Sequence, residues 1–308
     1  MSPEARLLRY FLAVADELNF TRAAEKLGIA QPALSAQIRR LEAQLDVRLL
    51  ERTTRSVQLT DAGRIVQERG PAALAGLEQM WEAARRAGRG ETGRLRAAYS
   101  ASAGYETAPR LVGALHARYP DIEIAAEVLP TPDIVRAVRE GRVEVGLART
   151  PPAAEGVRLR TVRLERHGVL VPADHPLAAH RDVDLVAVAE HPILMHPRRA
   201  NPVHFDFVGD LFRNAGLHPR FVEGPVAFDP TQRAIREGRA IGLVGASSAD
   251  GLVPGLRWLP LADSAARVPV QLVLREGELS PVADRFERVA VATAAAAGWL
   301  DHFVGTQT

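Results

Sequence analysis

Five polar side chains, Gln31, Ser35, Gln37, Arg39 and Arg40, fall within ten residues of chain around Pro32. Amide and hydroxyl groups bond the edges of nucleic-acid bases, and guanidinium groups bond bases or phosphates. A second polar run, Arg52, Thr53, Thr54 and Arg55, suits contact with a sugar-phosphate backbone or a minor groove. Other chemistries find less to work with. There is no cysteine, which excludes disulfides, thiolate metal sites and thiol nucleophiles. The nine histidines, His191, His196 and His204 among them, fit no metal-motif spacing. Neither a GxSxG elbow nor a P-loop occurs, and no spacing of serine, histidine and aspartate makes a triad. The expectation is a binding protein, not an enzyme, with no catalytic residue, metal or cofactor.

To reach a duplex, those side chains need a helix with one buried face and a partner helix held close. Leu34, Ile38, Leu41 and Leu45 recur at spacings of 4, 3 and 4, which predicts the buried stripe. Pro32, Ala36, Arg39 and Arg40 lie opposite it, with Gln31 and Ser35 on one flank and Gln37 on the other. Pro32 opens this helix where its missing N–H costs nothing. The preceding helix carries Ala23, Ala24 and Leu27, with Thr21 as its expected cap and Gly28 as its stop. A first helix shows Leu7, Leu8, Phe11, Val14, Ala15 and Leu18 at helical spacing. Residues 47–59 read as two short strands around a polar tip, Thr53 to Ser56. Residues 1–60 are thus predicted to form a winged helix-turn-helix.

Residues 60–88 read as one long helix. Leu74, Leu77, Trp81 and Ala84 repeat at 3, 4, 3, the pattern of a two-stranded seam with a second copy of the chain. Pro71 is expected to kink or split this helix. Residues 87–92 are polar and glycine-containing, so residues 61–90 are assigned to a dimerisation helix and hinge. Pairing would matter, because residues 1–60 hold nine basic and seven acidic side chains and one copy has little positive field. The whole chain of 308 residues carries a net charge of only +2.

Beyond Gly93 strands and helices alternate. Strand-like runs are residues 95–99, 122–128, 143–147 and 168–171, and helix-like runs are 108–118, 132–140, 205–215 and 230–238. That alternation predicts a mostly parallel sheet with helices on both faces. With 47% hydrophobic and 25% charged residues the chain can bury real cores. No run of 18 apolar residues occurs, so no membrane partner is expected. Glu4, Arg6, Arg9, Asp16 and Glu17 leave no uncharged signal-peptide core, and the expected location is the cytoplasm.

The run FTRAAEKLGIAQPALSAQIRRLEAQLDVRLLERTTRSVQLTDAG resembles the N-terminal signature of the LysR-type transcriptional regulators. The matching elements are the Ala-Ala pair, Gln31-Pro32, Ser35, Ile38, Leu41-Glu42, Leu50, Arg52 and Leu59-Thr60 before Gly63. Tyr119-Pro120-Asp121, GRVEVG at 141–146, His175-Pro176-Leu177-Ala178 and GRAIGLVGAS at 238–247 resemble the same family further on. The resemblance implies DNA contacts by Gln31, Pro32, Ser35 and Arg52. Ala36 stands where many relatives carry a longer polar residue. It also implies dimers paired through the long helix and assembled into tetramers on a palindromic operator, with RNA polymerase as a further partner.

For the C-terminal region it implies a fold like the type II periplasmic binding proteins: two α/β subdomains flank a cleft and are joined by two crossing strands. We place subdomain I at residues 91–162 and 270–308, and subdomain II at 163–269. Ligands in such sheets sit beyond the carboxyl ends of strands, near helix N-termini. Ser100, Ser102, Thr131, Arg149 and Thr150 fit that rule in the first subdomain; His196, Phe228 and Ser247 are taken from the second. The family commonly contacts its effector at the positions of Ser102 and Thr131. Hydroxyls beside free backbone N–H groups favour an anion, so a small carboxylate effector is expected. Two rival readings share this fold: a transport-type solute-binding protein and an α/β enzyme. The N-terminal signature weighs against the first and the missing catalytic constellation against the second.

Overall fold

A computed structural model describes residues 3–52, 56–225, 228–262 and 266–300. Its contacts divide the chain into two compact units, Met1–Arg86 and Ala87–Thr308. The first unit opens with α1 (Pro3–Glu17), α2 (Phe20–Leu27) and α3 (Gln31–Leu45). A two-stranded antiparallel ribbon follows, β1 (Leu50–Arg52) and β2 (Val57–Leu59), and then α4 (Asp61–Gly88). Phe11, Val14, Ala15, Ala23, Ala24, Leu34, Ile38, Leu49 and Leu50 form its core.

Local chemistry sets these boundaries. The cap of α2 is Asn19, not Thr21: the Asn19 side chain accepts from the Thr21 and Arg22 backbone N–H groups at 2.9 and 3.1 Å. Asn19 has the extended backbone a cap requires, whereas Thr21 already lies inside the helix. Gly28 ends α2 at φ 67°, a left-handed conformation that glycine adopts freely. The stripe of α3 is shorter than its periodicity suggests. Leu34 and Ile38 are fully buried, but Leu45 sits in the last turn, outside that core, and is 51% exposed. Leu18 likewise falls beyond the end of α1, at positive φ and exposed.

Pro71 does not split α4, which runs unbroken for 28 residues. Proline removes one bond of the ladder, and the turns on either side carry the helix through. Near its start, a Cβ added to Gly63 would lie 2.1 Å from the Leu49 carbonyl oxygen, so only glycine lets α4 approach the residues leading into β1. Gly63→Ala is therefore expected to destabilise the first unit by about 1–3 kcal/mol or more, read as a lower denaturation midpoint. A midpoint equal to wild type would show that the approach is not tight.

In the second unit one sheet runs β4-β3-β5-β11-β6-β9-β7-β8, with β10 beside β6. Its strands are β3 (Gly93–Tyr99), β4 (Ile122–Val128), β5 (Val145–Arg149), β6 (Val157–Pro172), β7 (Ile193–Met195), β8 (Phe221–Glu223), β9 (Ile241–Gly245), β10 (Leu256–Pro260) and β11 (Arg267–Arg275). The helices are α5 (Thr107–Arg118), α6 (Thr131–Arg139), α7 (Leu185–Ala189), α8 (Pro202–Asn214), α9 (Phe228–Arg236) and α10 (Pro281–Ala296). β3 pairs in parallel with β4 and β5, and β7 with β8 and β9. The sheet as a whole is mixed rather than mostly parallel, because β6 and β11 pair antiparallel with each other and with β9 and β5. These two long strands pass between the lobes in opposite senses. β6 pairs with β11 as far as Arg166 and with β9 from His167 on. One lobe buries Leu111, Leu115, Leu272 and Phe286; the other buries Val169, Val208, Phe212 and Ile241.

Candidate nucleic-acid interface and effector cavity

On α3, Gln31, Pro32, Arg39 and Arg40 are exposed and Ser35 is half-buried. Gln37 is turned inward: its Oε1 is buried and has no hydrogen-bond partner, so its carbonyl is not offered on the outer face. Arg52, at the end of β1, is drawn into the same cluster. Its Nη1 donates to Ser35 Oγ at 3.1 Å, and Arg39 Nη1 donates to that oxygen at 3.0 Å. The Arg52 guanidinium stacks 4.5 Å above the Phe20 ring and lies 3.5 Å from Glu42 Oε2. Burial lowers its pKa most, Glu42 opposes that, and Arg39 adds to the lowering; an arginine stays cationic throughout the physiological range. Glu42 has a second task, accepting the Leu49 and Leu50 backbone N–H groups through Oε1 at 2.9 and 3.1 Å. Phe20 and Glu42 thus position the wing arginine, a role the periodicity of α3 did not suggest. Thr53, Thr54 and Arg55 lie outside the described residues.

Between the lobes of the second unit lies a cavity of about 330 Å³. Ser100, Ser102, Thr131 and Arg149 line it from the first lobe, and His196 from the second. Ser100 and Ser102 hydroxyls stand 3.3 Å apart, and Thr131 is the first residue of α6. Thr150 and Ser247 do not line the cavity. Thr150 is buried at φ 40° with its hydroxyl unpartnered, and Ser247 is committed behind the wall. Phe228 opens α9, but its side chain lies outside the described residues.

Arg149 is not free. Its Nη2 is ion-paired with Glu165, which is 1% exposed, and donates to Ser247 Oγ at 2.9 Å. The Ser247 backbone N–H donates to the same carboxylate at 2.5 Å. Burial alone would push the Glu165 carboxyl up; Arg149 and the Ser247 bonds overcome this and hold it below its ordinary value. Asn201 Nδ2 donates to the Arg149 carbonyl at 3.1 Å, and Asn201 Oδ1 accepts from His204 N at 3.2 Å.

His167, Asn201, His204 and Ser248 also line the cavity, although sequence reading did not single them out as ligands. The histidines form a chain. His167 Nε2 lies 3.2 Å from His204 Nε2, and His204 Nδ1 lies 3.1 Å from His196 Nε2. His196 Nδ1 faces the Pro197 carbonyl at 3.1 Å and must donate to it. In neutral rings the direction then propagates: His204 Nδ1–H donates to His196, and His167 Nε2–H donates to His204. This leaves His167 Nδ1 as a buried acceptor, and it has no partner. Burial, helped by Arg149 and partly offset by Glu165, lowers His167 to about 4. Burial and the neighbouring histidines push His204 well below its ordinary value. No group of three or more potential metal ligands occurs among the described residues.

A helix-turn-helix unit followed by a two-lobed α/β module with an interlobe cavity is the architecture of a ligand-responsive DNA-binding regulator. Residues 5–64 match the family described as "Bacterial regulatory helix-turn-helix protein, lysR family", and residues 88–295 match "LysR substrate binding domain". The chain belongs to the LysR family and is a LysR-type transcriptional regulator with an effector-binding domain. It is 32% identical over 287 residues to the HTH-type transcriptional regulator TfdS of Cupriavidus pinatubonensis, covering 93% of this chain and 97% of TfdS. The crystal structure of CbnR, a LysR family transcriptional regulator, is similar at TM-score 0.82 and 27% identity, covering 94% of this chain and all of CbnR. Full-length CbnR complexed with its target DNA is similar at TM-score 0.77 and 27% identity, over 96% of this chain and 100% of that one. Among the described residues no helix is long and apolar enough to cross a membrane.

Proposed function

We propose that α3 lies in the major groove of a palindromic operator, with Gln31, Pro32 and Ser35 toward base edges and Arg39, Arg40 and Arg52 toward bases or phosphates. The observation that carries this is the outer face of α3. Gln31, Arg39 and Arg40 are exposed there, and the half-buried Ser35 is held by two arginines from different elements. Thr53, Thr54 and Arg55 are proposed, from their residue types alone, to contact the sugar-phosphate backbone or the minor groove. Two copies pair along α4, where Leu74 and Leu77 are half-buried and Met80 and Trp81 are 50% and 49% exposed in a single chain. Pairs assemble into a tetramer that acts beside RNA polymerase in the cytoplasm. The relative CbnR has been captured on its target DNA, which supports the DNA reading.

The interlobe cavity takes a small carboxylate effector and needs no cofactor or metal. Ser102 and Thr131 anchor the carboxylate at the start of α6, where Pro132 carries no N–H and the Asp133 and Ile134 N–H groups donate to the Pro130 carbonyl, so the two hydroxyls carry the contact. The effector acts by preferring one of two lobe arrangements, since a ligand with no preference shifts nothing. The test joins both halves. Candidate acids are screened by melting temperature, where a 100-fold excess over Kd adds about 2.7 kcal/mol. The active compound is then used in a gel shift on the gene's own upstream DNA. Ser102→Ala with Thr131→Val is expected to keep operator affinity within about twofold and to lose the effector response. An unchanged response removes both hydroxyls from the site, and no operator binding by the wild type at low salt removes the DNA reading.

A further inference from the structure

The cavity as it stands has no charge to spare for an anion. Among the described residues the one Lys or Arg lining it is Arg149, whose charge is paired with Glu165 and whose Nη2 also bonds Ser247, although its buried Nε has no hydrogen-bond partner. A carboxylate at Ser102 and Thr131 would bring an uncompensated negative charge into a space walled by Val128, Leu129, Leu194 and Met195. An unpaired charge in such surroundings is expensive.

The opposite wall holds the remedy. The His167–His204–His196 chain ends in one open acceptor, the buried Nδ1 of His167. A proton added there leaves His167 Nε2–H still donating to His204. Passing it along the two inter-ring bonds moves the positive charge to His204 or His196 without breaking either bond. The chain therefore accommodates one proton and spreads its charge along the cavity wall. Glu165 favours that proton but is shared with Arg149 and Ser247, and Arg149 opposes it. Phe207 covers one face of His167, and Phe205 flanks His196. Arg198 and Asp206, two residues along from His196 and His204, pair with each other at 2.8 and 2.6 Å and are exposed.

We propose that the cavity binds its carboxylate effector together with one proton from solvent, stored on the His167–His204–His196 chain, so that these histidines compensate the bound anion. This rests on the effector-site reading above. Without ligand, burial keeps His167 at about 4, so its open Nδ1 is unprotonated at neutral pH. A bound anion raises that value. Affinity is then weakest above the bound value and strengthens as pH falls from it toward about 4.

Phenylacetate and its uncharged isostere phenylacetamide test this with the full-length protein. Calorimetric titration near pH 6 is run in two buffers of different ionisation enthalpy. Phenylacetate is expected to take up about one proton and phenylacetamide none, and the phenylacetate Kd is expected to tighten by up to about tenfold per unit fall in pH. His204→Phe, with a melting curve as its folding control, is expected to flatten that dependence; the wild-type buffer comparison stands without it. Phenylacetate binding with no proton uptake and a pH-independent Kd overturns the proposal and leaves the effector cavity intact. Failure of both probes to bind the folded protein overturns the effector-site reading and the proposal with it.

Discussion

Replacing Arg149 with alanine is expected to lower the melting temperature of the C-terminal module by roughly 10 °C, from a loss of about 3–5 kcal/mol. The reason lies in what remains. Glu165 is 1% exposed and would lose its direct counter-charge, keeping the Ser247 bonds and the weaker influence of Arg163. Breaking a buried pair from one side strands the other charge, whereas replacing both partners by apolar groups of similar volume is often nearly neutral. Arg149→Met with Glu165→Leu is accordingly expected to recover to within about 1–2 kcal/mol of wild type. The pH dependence gives an independent sign. In wild type the Glu165 carboxyl is held low, so its contribution is present above the unfolded value of about 4.3 and lost as pH falls through the folded one. In Arg149→Ala the same carboxyl loses its counter-charge and rises. The stability gap between the two proteins should therefore widen from about pH 4 to pH 7. Scanning calorimetry reads all three outcomes. A single variant that melts within about 2 °C of wild type would mean that Arg149 does not hold Glu165 in solution.

The parts of this protein that could be read from sequence are those set by neighbours in the chain. Pro32 and Gly28 mark the ends of helices because their backbone constraints are their own, and Leu34 and Ile38 declare a buried face by period alone. The cap of α2 shows the limit of such reading. Asn19 and Thr21 are both good cap types, and only the extended backbone at Asn19 decides between them. β6 hid for a different reason. Arg158, Arg160, Arg163 and Arg166 along its length look like a solvated face, yet Arg158 meets Glu287 and Arg163 meets Glu106, partners far along the chain. The cavity divided the same way. Ser102 and Thr131 follow from the rule for strand ends and helix starts. The histidine chain joins residues from β6, the segment after β7, and α8, and no spacing announces it. Arg149 was legible as a strand-end cation; its neutralisation was not, because Glu165 comes from β6 and Ser247 from the turn after β9, both distant in sequence.

On DNA, Ser35→Ala is expected to weaken operator binding by about 1–3 kcal/mol, roughly 5- to 150-fold, while binding to unrelated DNA changes little. Both lone pairs of the Ser35 hydroxyl are occupied, one by Arg39 Nη1 at 3.0 Å and one by Arg52 Nη1 at 3.1 Å. Its remaining capacity is a single O–H donor. A hydroxyl so restricted distinguishes bases: it can pair with guanine N7 or O6, adenine N7 or thymine O4, and it has nothing to offer the cytosine amino group. The variant should therefore lose discrimination at one base pair and keep it elsewhere. Arg52→Ala provides the contrast. Removing that cation is expected to weaken all sequences alike and to reduce the slope of log affinity against log salt by about 1. It should also free a lone pair on Ser35, so the hydroxyl could then accept from cytosine and the preference at that position should broaden. Fluorescence anisotropy on operators permuted one base pair at a time, at several salt concentrations, separates these effects. Equal losses for Ser35→Ala on operator and random DNA would show that the hydroxyl only anchors the two arginines. Reading of a base acceptor by this serine would then be ruled out.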